Sequence, residues 1–172
     1  DVPNPIEKDD LIVVKVTAGA LNHRDVWITK GMYPGIKPNI ILGSDGVGIY
    51  NNQEVIINPN HDWGDNPKVQ GKDYHILGLP TNGTFAEEVL VHKSKIRPKP
   101  RHLSSEEAAA LPLGGMTAYR ALFTKCQLKK GERVLISGVG GGVALFAFQF
   151  AVAAGAEVWV TSGTEWKIDK AM

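Results

Sequence analysis

The stretch RVLISGVGGGVALFAFQFAVAAGAEVWVTSGTEWK, residues 133–167, predicts a strand, a glycine-rich turn, a helix and a second strand. The first run, 133–137, is short and rich in β-branched residues, which is typical of a fully buried parallel strand. From 143 to 154 only Gln149 is polar, so we expect a helix that is covered on all sides. A further strand is expected from 157 to 161. The stretch is therefore predicted to form a βαβ unit.

Glycine fills four of the five positions between the first strand and the helix, namely Gly138, Gly140, Gly141 and Gly142. Backbone N–H groups at such a helix N-terminus bind the pyrophosphate of a dinucleotide. A strict Gly-x-Gly-x-x-Gly/Ala motif is absent. An alignment that starts at Gly138 has Val143 in place of the last Gly/Ala, and one that starts at Gly140 has Leu145 there. A glycine-rich βα turn in another kind of α/β protein is the alternative. We interpret the loop as dinucleotide-binding, through Gly140, Gly141, Gly142 and Val143.

Composition excludes several classes of function. The 172 residues carry a net charge of +1, so the chain lacks the basic surface of a nucleic-acid-binding protein. No run of eighteen apolar residues is present, so we expect no membrane span. A single cysteine, Cys126, excludes an internal disulfide framework and favours a reducing, cytoplasmic location. A doubly wound nucleotide domain needs about six strands, so we expect this chain to be part of a longer enzyme.

The first hundred residues alternate short apolar runs with turns, which predicts a β-rich domain. Strands are expected at 11–17, 55–57 and 83–91, a tight hairpin turn at 50–53, and a polar loop at 58–80. A short helix is predicted over 22–30, with Val26, Trp27 and Ile28 facing inward.

The sequence then changes to a helical pattern. Ser104 and Glu107 form a capping-box pattern for a helix over 105–111. A second helix is expected from about 115 to 124. We place the domain boundary so that the first domain covers 1–112 and the second 113–172.

The whole chain resembles the medium-chain dehydrogenase/reductase superfamily, and within it the zinc-free quinone oxidoreductase branch and its zinc-type alcohol dehydrogenase-like relatives. The motifs that carry the resemblance are Ala-Leu-Asn-His-Arg-Asp at 20–25, Gly-Met-Tyr-Pro-Gly at 31–35, Leu-Gly-Ser-Asp-Gly-Val-Gly at 42–48, Gly-Thr-Phe-Ala-Glu at 83–87, Gly-Gly-Met-Thr-Ala-Tyr-Arg at 114–120 and the glycine loop. The resemblance implies an α/β plus β fold: a GroES-like β-rich catalytic domain followed by an incomplete Rossmann domain, a doubly wound parallel sheet. It also implies a homodimer in the full-length protein.

The chain departs from the zinc enzymes of this superfamily at their metal ligands. Asn22, Ser44 and Leu113 stand where those enzymes use Cys, His and Cys. Asparagine and serine are poor zinc ligands and leucine is none, so we expect no metal. His61, Asp62 and His75 match no zinc spacing, and we interpret them as residues of a surface loop.

Cofactor choice is predicted from the end of the second strand. NAD selection uses an acid there, whereas residues 161–164 contain none. Ser162, Gly163 and Lys167 suit the 2′-phosphate of NADP(H), because hydroxyl groups and an ammonium can neutralise a dianion. The alternative is that Ser162 and Thr164 only cap the next helix.

By resemblance, Asn22 and Thr117 should lie near the nicotinamide, and Tyr33 is a candidate donor to the substrate oxygen. Each has a structural alternative: Asn22 can cap the following helix, Thr117 can bond within its own helix and Tyr33 can be a packed turn residue. The predicted reaction is zinc-free reduction of a quinone or an α,β-unsaturated carbonyl, a small-molecule substrate. A zinc-dependent alcohol or aldehyde dehydrogenase and a non-catalytic NADPH-binding protein are the alternatives.

Overall fold

The computed structural model describes residues 2–171, so Asp1 and Met172, the outermost residues of the two predicted domains, lie outside the described part. The described residues form two compact units that divide between Leu113 and Gly114. Among them, no helix has both the length and the apolar character needed to cross a lipid bilayer.

The first unit is organised around a five-stranded antiparallel sheet. Its strands are β1 (Leu11–Ala20), β2 (Asp45–Tyr50), β3 (Gln53–Ile57), β6 (Glu88–His92) and β7 (Ile96–Pro98), and they lie in the order β6-β1-β2-β3-β7. A separate two-stranded sheet pairs β4 (Asn60–His61) with β5 (His75–Ile76). The unit also holds α1 (His23–Thr29), a 3-10 turn (Lys93–Lys95) and α2 (Ser105–Ala109).

The core of this unit follows from the alternation of side chains along its strands. Ile12 and Val14 of β1 point to the same face and pack with apolar residues of the neighbouring strands. The other fully buried members of this cluster are Val55, Ile57, Leu77, Val89 and Val91.

Two local sequence signals are confirmed. Asn51 and Asn52 join β2 to β3 with φ values of 48° and 60°, the left-handed conformation that a two-residue hairpin turn requires. At α2, Glu107 N donates to Ser104 Oγ over 3.1 Å, while Ser104 N donates to Glu107 Oε2 over 2.9 Å. The predicted capping box is therefore present.

Helix α1 buries a different face from the predicted one. Val26 and Trp27 are exposed, whereas Arg24 and Asp25 are buried together with Ile28. The polar side chains turn inward because each finds a partner there: Arg24 Nη1 donates to Leu77 O, and Asp25 Oδ2 accepts from Asn22 N.

The predicted strand over 83–91 begins only at Glu88. Residues 83–85 instead run beside 41–43, with Gly83 N donating to Ile41 O, Phe85 N to Leu42 O and Thr84 N to Gly43 O. The predicted polar loop over 58–80 contains β4 and β5.

Three glycines allow the backbone segments around residues 43, 78 and 83 to touch. A Cβ at Gly83 would lie 1.9 Å from the carbonyl oxygen of Gly43 and 2.7 Å from the Cα of Gly78. Gly78 also has a φ of 88°, which disfavours any residue with a side chain. These contacts fix the segment that leads into Ser44 and Asp45.

We expect Gly83→Ala to lower the free energy of unfolding by about 3 kcal/mol or more, because backbone atoms at both contacts must move. Gly115→Ala is the matched control. No atom outside its own helix backbone and chain neighbours lies within 4 Å of a Cβ at Gly115, and alanine favours a helix over glycine by about 1 kcal/mol. Urea denaturation of both variants checks this. Equal stability changes would contradict the close approach.

The second unit contains the predicted βαβ stretch. Strands β8 (Arg133–Ile136) and β9 (Glu157–Val160) pair in parallel, and α4 (Gly142–Ala153) connects them. Helix α3 (Pro112–Tyr119) leads into the unit and is followed by a π-helical segment (Arg120–Lys125). Helix α5 (Glu165–Asp169) follows β9.

Two expectations for this stretch are wrong. Leu135 of β8 is 69% exposed and Trp159 of β9 is 60% exposed, so the strands are not fully buried. Helix α4 is likewise covered on one side only, since Leu145 and Val152 are exposed while Ala147 and Ala151 are buried. The two strands and the helix bury their facing sides against each other. Apolar composition alone does not say how many of the faces find a partner.

The predicted helix over 115–124 begins earlier and changes its geometry. It starts at Pro112, whose fixed φ suits the first position of a helix, and becomes π-helical from Arg120.

Candidate functional site

Asn22 lies at the start of α1 and donates three hydrogen bonds. Its backbone N–H donates to Asp25 Oδ2 over 2.8 Å. Its side-chain Nδ2 donates to Ser44 Oγ over 3.2 Å and to Asp45 Oδ2 over 3.0 Å. Asn22 thus occupies the N-cap position of α1, which is the structural alternative given above for this residue. Its side-chain amide also bonds to Ser44 and Asp45.

Asp45 is the most enclosed charged group of this cluster, with 1% of its surface exposed. Oδ2 accepts from Asn22, Oδ1 accepts from Leu113 N over 2.9 Å, and its backbone oxygen accepts from Thr84 Oγ1 over 2.8 Å. Burial raises the pKa of Asp45 to about 6, although the hydrogen bonds from Asn22 and Leu113 act in the opposite direction. The charge of Asp25 raises this pKa and that of Arg24 lowers it.

The raised pKa of Asp45 predicts that its contribution to stability falls as the pH rises. Between pH 4 and pH 6 the folded protein holds this proton more tightly than the unfolded chain, whose carboxyl has a pKa near 3.8. The contribution of Asp45 to the free energy of unfolding therefore falls by on the order of 3 kcal/mol as the pH rises through this window. We expect Asp45→Asn to remove this dependence, so that the wild-type protein loses stability relative to the variant between pH 4 and pH 7.

Chemical denaturation at pH 4, 5, 6 and 7 measures this difference. Asp65→Asn, a change at an exposed carboxylate, is the control and should leave the wild-type dependence in place. A difference between wild type and Asp45→Asn that stays constant with pH would contradict the prediction.

Arg24 and Tyr33 form a second contact in the same unit. Arg24 is buried, its Nη1 donates to the carbonyl oxygen of Leu77 over 2.9 Å, and its guanidinium carbon lies 5.2 Å from the ring centre of Tyr33. Such a contact attracts the cation to the ring face. Tyr33 is therefore a packed residue, half-buried, as well as a candidate site residue.

The prediction that His61 and His75 belong to a surface loop is wrong. They are a cross-strand pair of β4 and β5, with ring centres 5.1 Å apart and ring planes at 13°. Burial, reinforced by the neighbouring His75, lowers the pKa of His61 to about 4. Both rings line a cleft of about 1340 Å³ together with Trp63 and Lys95. Within residues 2–171, no three or more His, Cys, Asp or Glu side chains converge as a metal site.

The glycine loop of the second unit is a tight turn at the N-terminus of α4. Gly138 has a φ of 66°, and Gly141 N donates to Gly138 O over 2.9 Å. Val139 is buried, and its N–H donates to Thr161 O over 3.0 Å, which ties the loop to the end of β9. Gly142 is the first residue of α4, so the first N–H groups of the helix, from Gly142 and Val143 onward, have no partner within the helix.

Lys167 lies across this loop. A Cβ at Gly140 would come within 2.6 Å of Lys167 Cδ and 3.1 Å of its Nζ. The ammonium also lies 5.5 Å from the ring centre of Trp166. Lys167, in α5, therefore places a positive charge beside the helix N-terminus for which the glycine pattern predicts a dinucleotide site.

Ser162 and Gly163 follow β9 directly. Ser162 Oγ accepts from Thr164 N over 3.3 Å. Thr164 is the N-cap residue of α5, but its side chain forms no cap hydrogen bond, so the capping alternative is met only by position. A hydroxyl that accepts one hydrogen bond can still donate another to a ligand.

The predicted site residues thus fall into two groups. Asn22 and Tyr33 belong to the first unit, whereas Thr117, an exposed residue of α3, belongs to the second unit with the glycine loop, Ser162, Gly163 and Lys167. The predicted common pocket for Asn22 and Thr117 stays a prediction.

Asp45 and Arg24 were missed as site residues. An acid between glycines at 43 and 46 is a signal for Asp45, because glycine neighbours let other backbone segments enclose it. Arg24 gave no such signal, since its burial depends on the carbonyl of Leu77, which is distant in sequence.

Comparison with known proteins identifies the family. The alcohol dehydrogenase GroES-like domain matches residues 8–101. The zinc-type alcohol dehydrogenase-like protein YogA of Leptosphaeria maculans is 33% identical over 196 residues, covering 99% of this chain and 53% of that protein. The chain therefore belongs to the medium-chain dehydrogenase/reductase superfamily.

Solved structures agree with this assignment. The crystal structure of an NAD-dependent alcohol dehydrogenase has a TM-score of 0.91 and 35% identity, over 99% of this chain and 55% of that one. The quinone oxidoreductase from Thermus thermophilus, solved alone and in complex with NADPH, has a TM-score of 0.77 and 29% identity, over 97% and 50% of the two chains. The chain spans about half the length of these relatives.

Proposed function

We propose that the whole protein is an NADP(H)-dependent, zinc-independent oxidoreductase that reduces quinones or α,β-unsaturated carbonyls. The observation that carries the proposal is Lys167 lying over the glycine loop, at the N-terminus of a helix between two parallel strands. The similarity to a quinone oxidoreductase solved with NADPH supports the same assignment.

The domain arrangement is part of this proposal. Residues 1–112 would form the GroES-like catalytic domain, and residues 113–172 would form the first part of a Rossmann domain. Parallel sheets are normally covered on both faces. The exposed Leu135 and Trp159 on the strands, with Leu145 and Val152 on α4, support further βα units packing there in the full-length protein.

The proposed cofactor fits the residues of the second unit. The N–H groups that begin α4, at Gly142 and Val143, would hold the pyrophosphate, and Gly140 and Gly141 let it approach the backbone. The Lys167 ammonium and the Ser162 hydroxyl would hold the 2′-phosphate of NADP(H), with Gly163 at the same turn. When bound, the cofactor supplies the hydride, and the protein orients the reacting groups.

A catalytic zinc does not fit the first unit. Both hydrogens of the Asn22 amide point to Ser44 and Asp45, so its nitrogen acts as a donor. Ser44 is fully buried and Leu113 has no ligand atom in its side chain. This set lacks the nitrogen and sulfur ligands that zinc requires. Hydride addition to a conjugated carbonyl or quinone suits such a site, because hydrogen bonds can stabilise the delocalised charge.

Asn22, Tyr33 and Thr117 are the proposed catalytic residues. Asn22 and Thr117 would lie near the nicotinamide, and Tyr33 would donate to the substrate oxygen. A small molecule is the proposed partner, with no nucleic acid and no membrane, in a cytoplasmic homodimer.

We expect Lys167→Glu to raise the KM for NADPH by about tenfold or more and to leave the KM for NADH nearly unchanged, because only NADPH carries a 2′-phosphate. Steady-state kinetics of the full-length protein with both cofactors measures this. Lys170→Glu is the matched control, since Lys170 also lies beside the Trp166 ring and the charge change is the same. Equal changes for NADPH and NADH in Lys167→Glu would contradict the assignment.

The reaction is tested with the full-length protein against quinones, enals and aldehydes, with and without a chelator. We expect NADPH oxidation with quinones or enals that a chelator does not reduce, and less than stoichiometric zinc by elemental analysis. Stoichiometric zinc with chelator-sensitive alcohol oxidation would favour the second candidate, a zinc-dependent dehydrogenase, which the similarity to an alcohol dehydrogenase structure supports. NADPH binding without turnover of any substrate would indicate a non-catalytic NADPH-binding protein.

A further inference from the structure

We propose that Asp45 is a positioning residue that acts through Asn22, because its carboxylate fixes the orientation of the Asn22 side-chain amide. The catalytic consequence rests on the proposed function, in which Asn22 contacts the bound reactants. The structural part of the inference, that Asp45 decides which way the amide faces, stands on the first unit alone.

The amide of an asparagine has two orientations that exchange its oxygen and nitrogen. In the observed orientation, Nδ2 donates to Asp45 Oδ2 over 3.0 Å and to Ser44 Oγ over 3.2 Å. The reversed orientation would place Asn22 Oδ1 against Asp45 Oδ2, two acceptors without a hydrogen between them. Ser44 does not discriminate, because a hydroxyl both donates and accepts. The Asn22 side-chain oxygen also faces the backbone N–H of Asp25 in the capping box of α1, which favours the same orientation. Among the neighbouring side chains, the ionised carboxylate of Asp45 is the one that selects it.

Asp45 is held too firmly to adapt to Asn22. It is the first residue of β2, its Oδ1 accepts from Leu113 N, and its backbone oxygen accepts from the buried hydroxyl of Thr84. A Cβ at the next residue, Gly46, would lie 2.8 Å from Thr84 Cγ2, so the strand packs closely against Thr84 on that side. The Asn22 amide therefore adjusts its orientation to the fixed carboxylate of Asp45.

A structural role alone does not account for a carboxylate at this position. An asparagine would also accept from Leu113 N, and it would avoid the free energy that burying an ionisable group costs. The charged neighbours act in opposite directions on Asp45: Asp25 opposes its ionisation, whereas the buried Arg24, whose Nη1 donates to a carbonyl oxygen, favours it. What a carboxylate offers and an amide does not is two acceptors and no donor. That property serves Leu113 N and Asn22 Nδ2 together.

The substitution Asp45→Asn keeps the size of the side chain and changes this property. The introduced oxygen can still accept from Leu113 N. The introduced amide nitrogen then faces Asn22, and it is satisfied only if the Asn22 amide reverses and presents its oxygen. In the variant, the Asn22 oxygen therefore faces residue 45 and its NH2 group faces the opposite side, and no cavity is opened.

A double-mutant cycle in the full-length protein tests the catalytic role. We expect Asp45→Asn and Asn22→Ala each to lower kcat/KM for a quinone by about tenfold or more, and the double variant to be no worse than Asn22→Ala alone. An additive loss, with Asp45→Asn equally harmful when Asn22 is alanine, would overturn the proposal, because Asp45 would then act independently of Asn22.

Thr84→Val is the matched control. It removes a buried hydrogen bond to the backbone oxygen of Asp45 and preserves the side-chain shape, but it leaves the carboxylate in place. We expect a loss of stability with kcat/KM within about twofold of wild type. A loss of kcat/KM equal to that of Asp45→Asn would show that local stability, and not the carboxylate, is responsible.

A measurement that needs no activity separates this proposal from the proposed function. The side-chain NH2 group of Asn22 gives a pair of amide proton resonances, which Asn22→Ala identifies by their loss in the ¹⁵N-labelled full-length protein. We expect slow hydrogen exchange of this pair in wild type and in Thr84→Val, and at least about tenfold faster exchange in Asp45→Asn. Unchanged exchange in Asp45→Asn would overturn the inference. A wild-type protein without turnover but with this exchange pattern would refute the proposed reaction and retain the role of Asp45 in orienting Asn22.

Discussion

The buried carboxylate of Asp45 joins three segments of the first unit that are distant in sequence. It accepts hydrogen bonds from the N-cap residue of α1 and from the backbone at the start of α3, and it begins β2 itself. An ionised group with almost no contact with water is tolerated only where donors surround it. The close backbone packing at Gly43, Gly78 and Gly83 holds the segment that precedes it. The close glycine packing therefore helps to hold Asp45 where its hydrogen-bond donors can reach the carboxylate.

In the second unit, positive charges and not a buried carboxylate lie close together. Its glycine loop presents the positive end of α4, and Lys167 adds a further positive charge beside Gly140. Two like charges so close are unfavourable unless an anion lies between or beside them. Contact of the lysine with the Trp166 ring offsets part of this repulsion. The arrangement is suited to a phosphate group, which is the basis of the proposed preference for NADP(H).

The two similar solved structures support different details of the proposal. Similarity to an NAD-dependent alcohol dehydrogenase is higher over the whole chain. Similarity to a quinone oxidoreductase solved with NADPH agrees with the roles proposed for Ser162 and Lys167. The overall fold does not decide between these activities, because one fold supports many chemistries. The proposal therefore rests on side chains: Asn22 and Ser44 form hydrogen bonds with their neighbours, and residues 161–164 carry no acid.

The sequence alone determined the βαβ stretch, the Asn51–Asn52 hairpin, the Ser104 capping box and the superfamily, because each rests on residues that are close along the chain. Tertiary structure decided which faces are buried. Val26 and Trp27 of α1 are exposed while Arg24 is buried, since the carbonyl of Leu77 receives its guanidinium. It also decided the surroundings of Asp45 and the position of Lys167 over Gly140. These features depend on contacts between residues distant in sequence, and composition and periodicity carry no information about such partners.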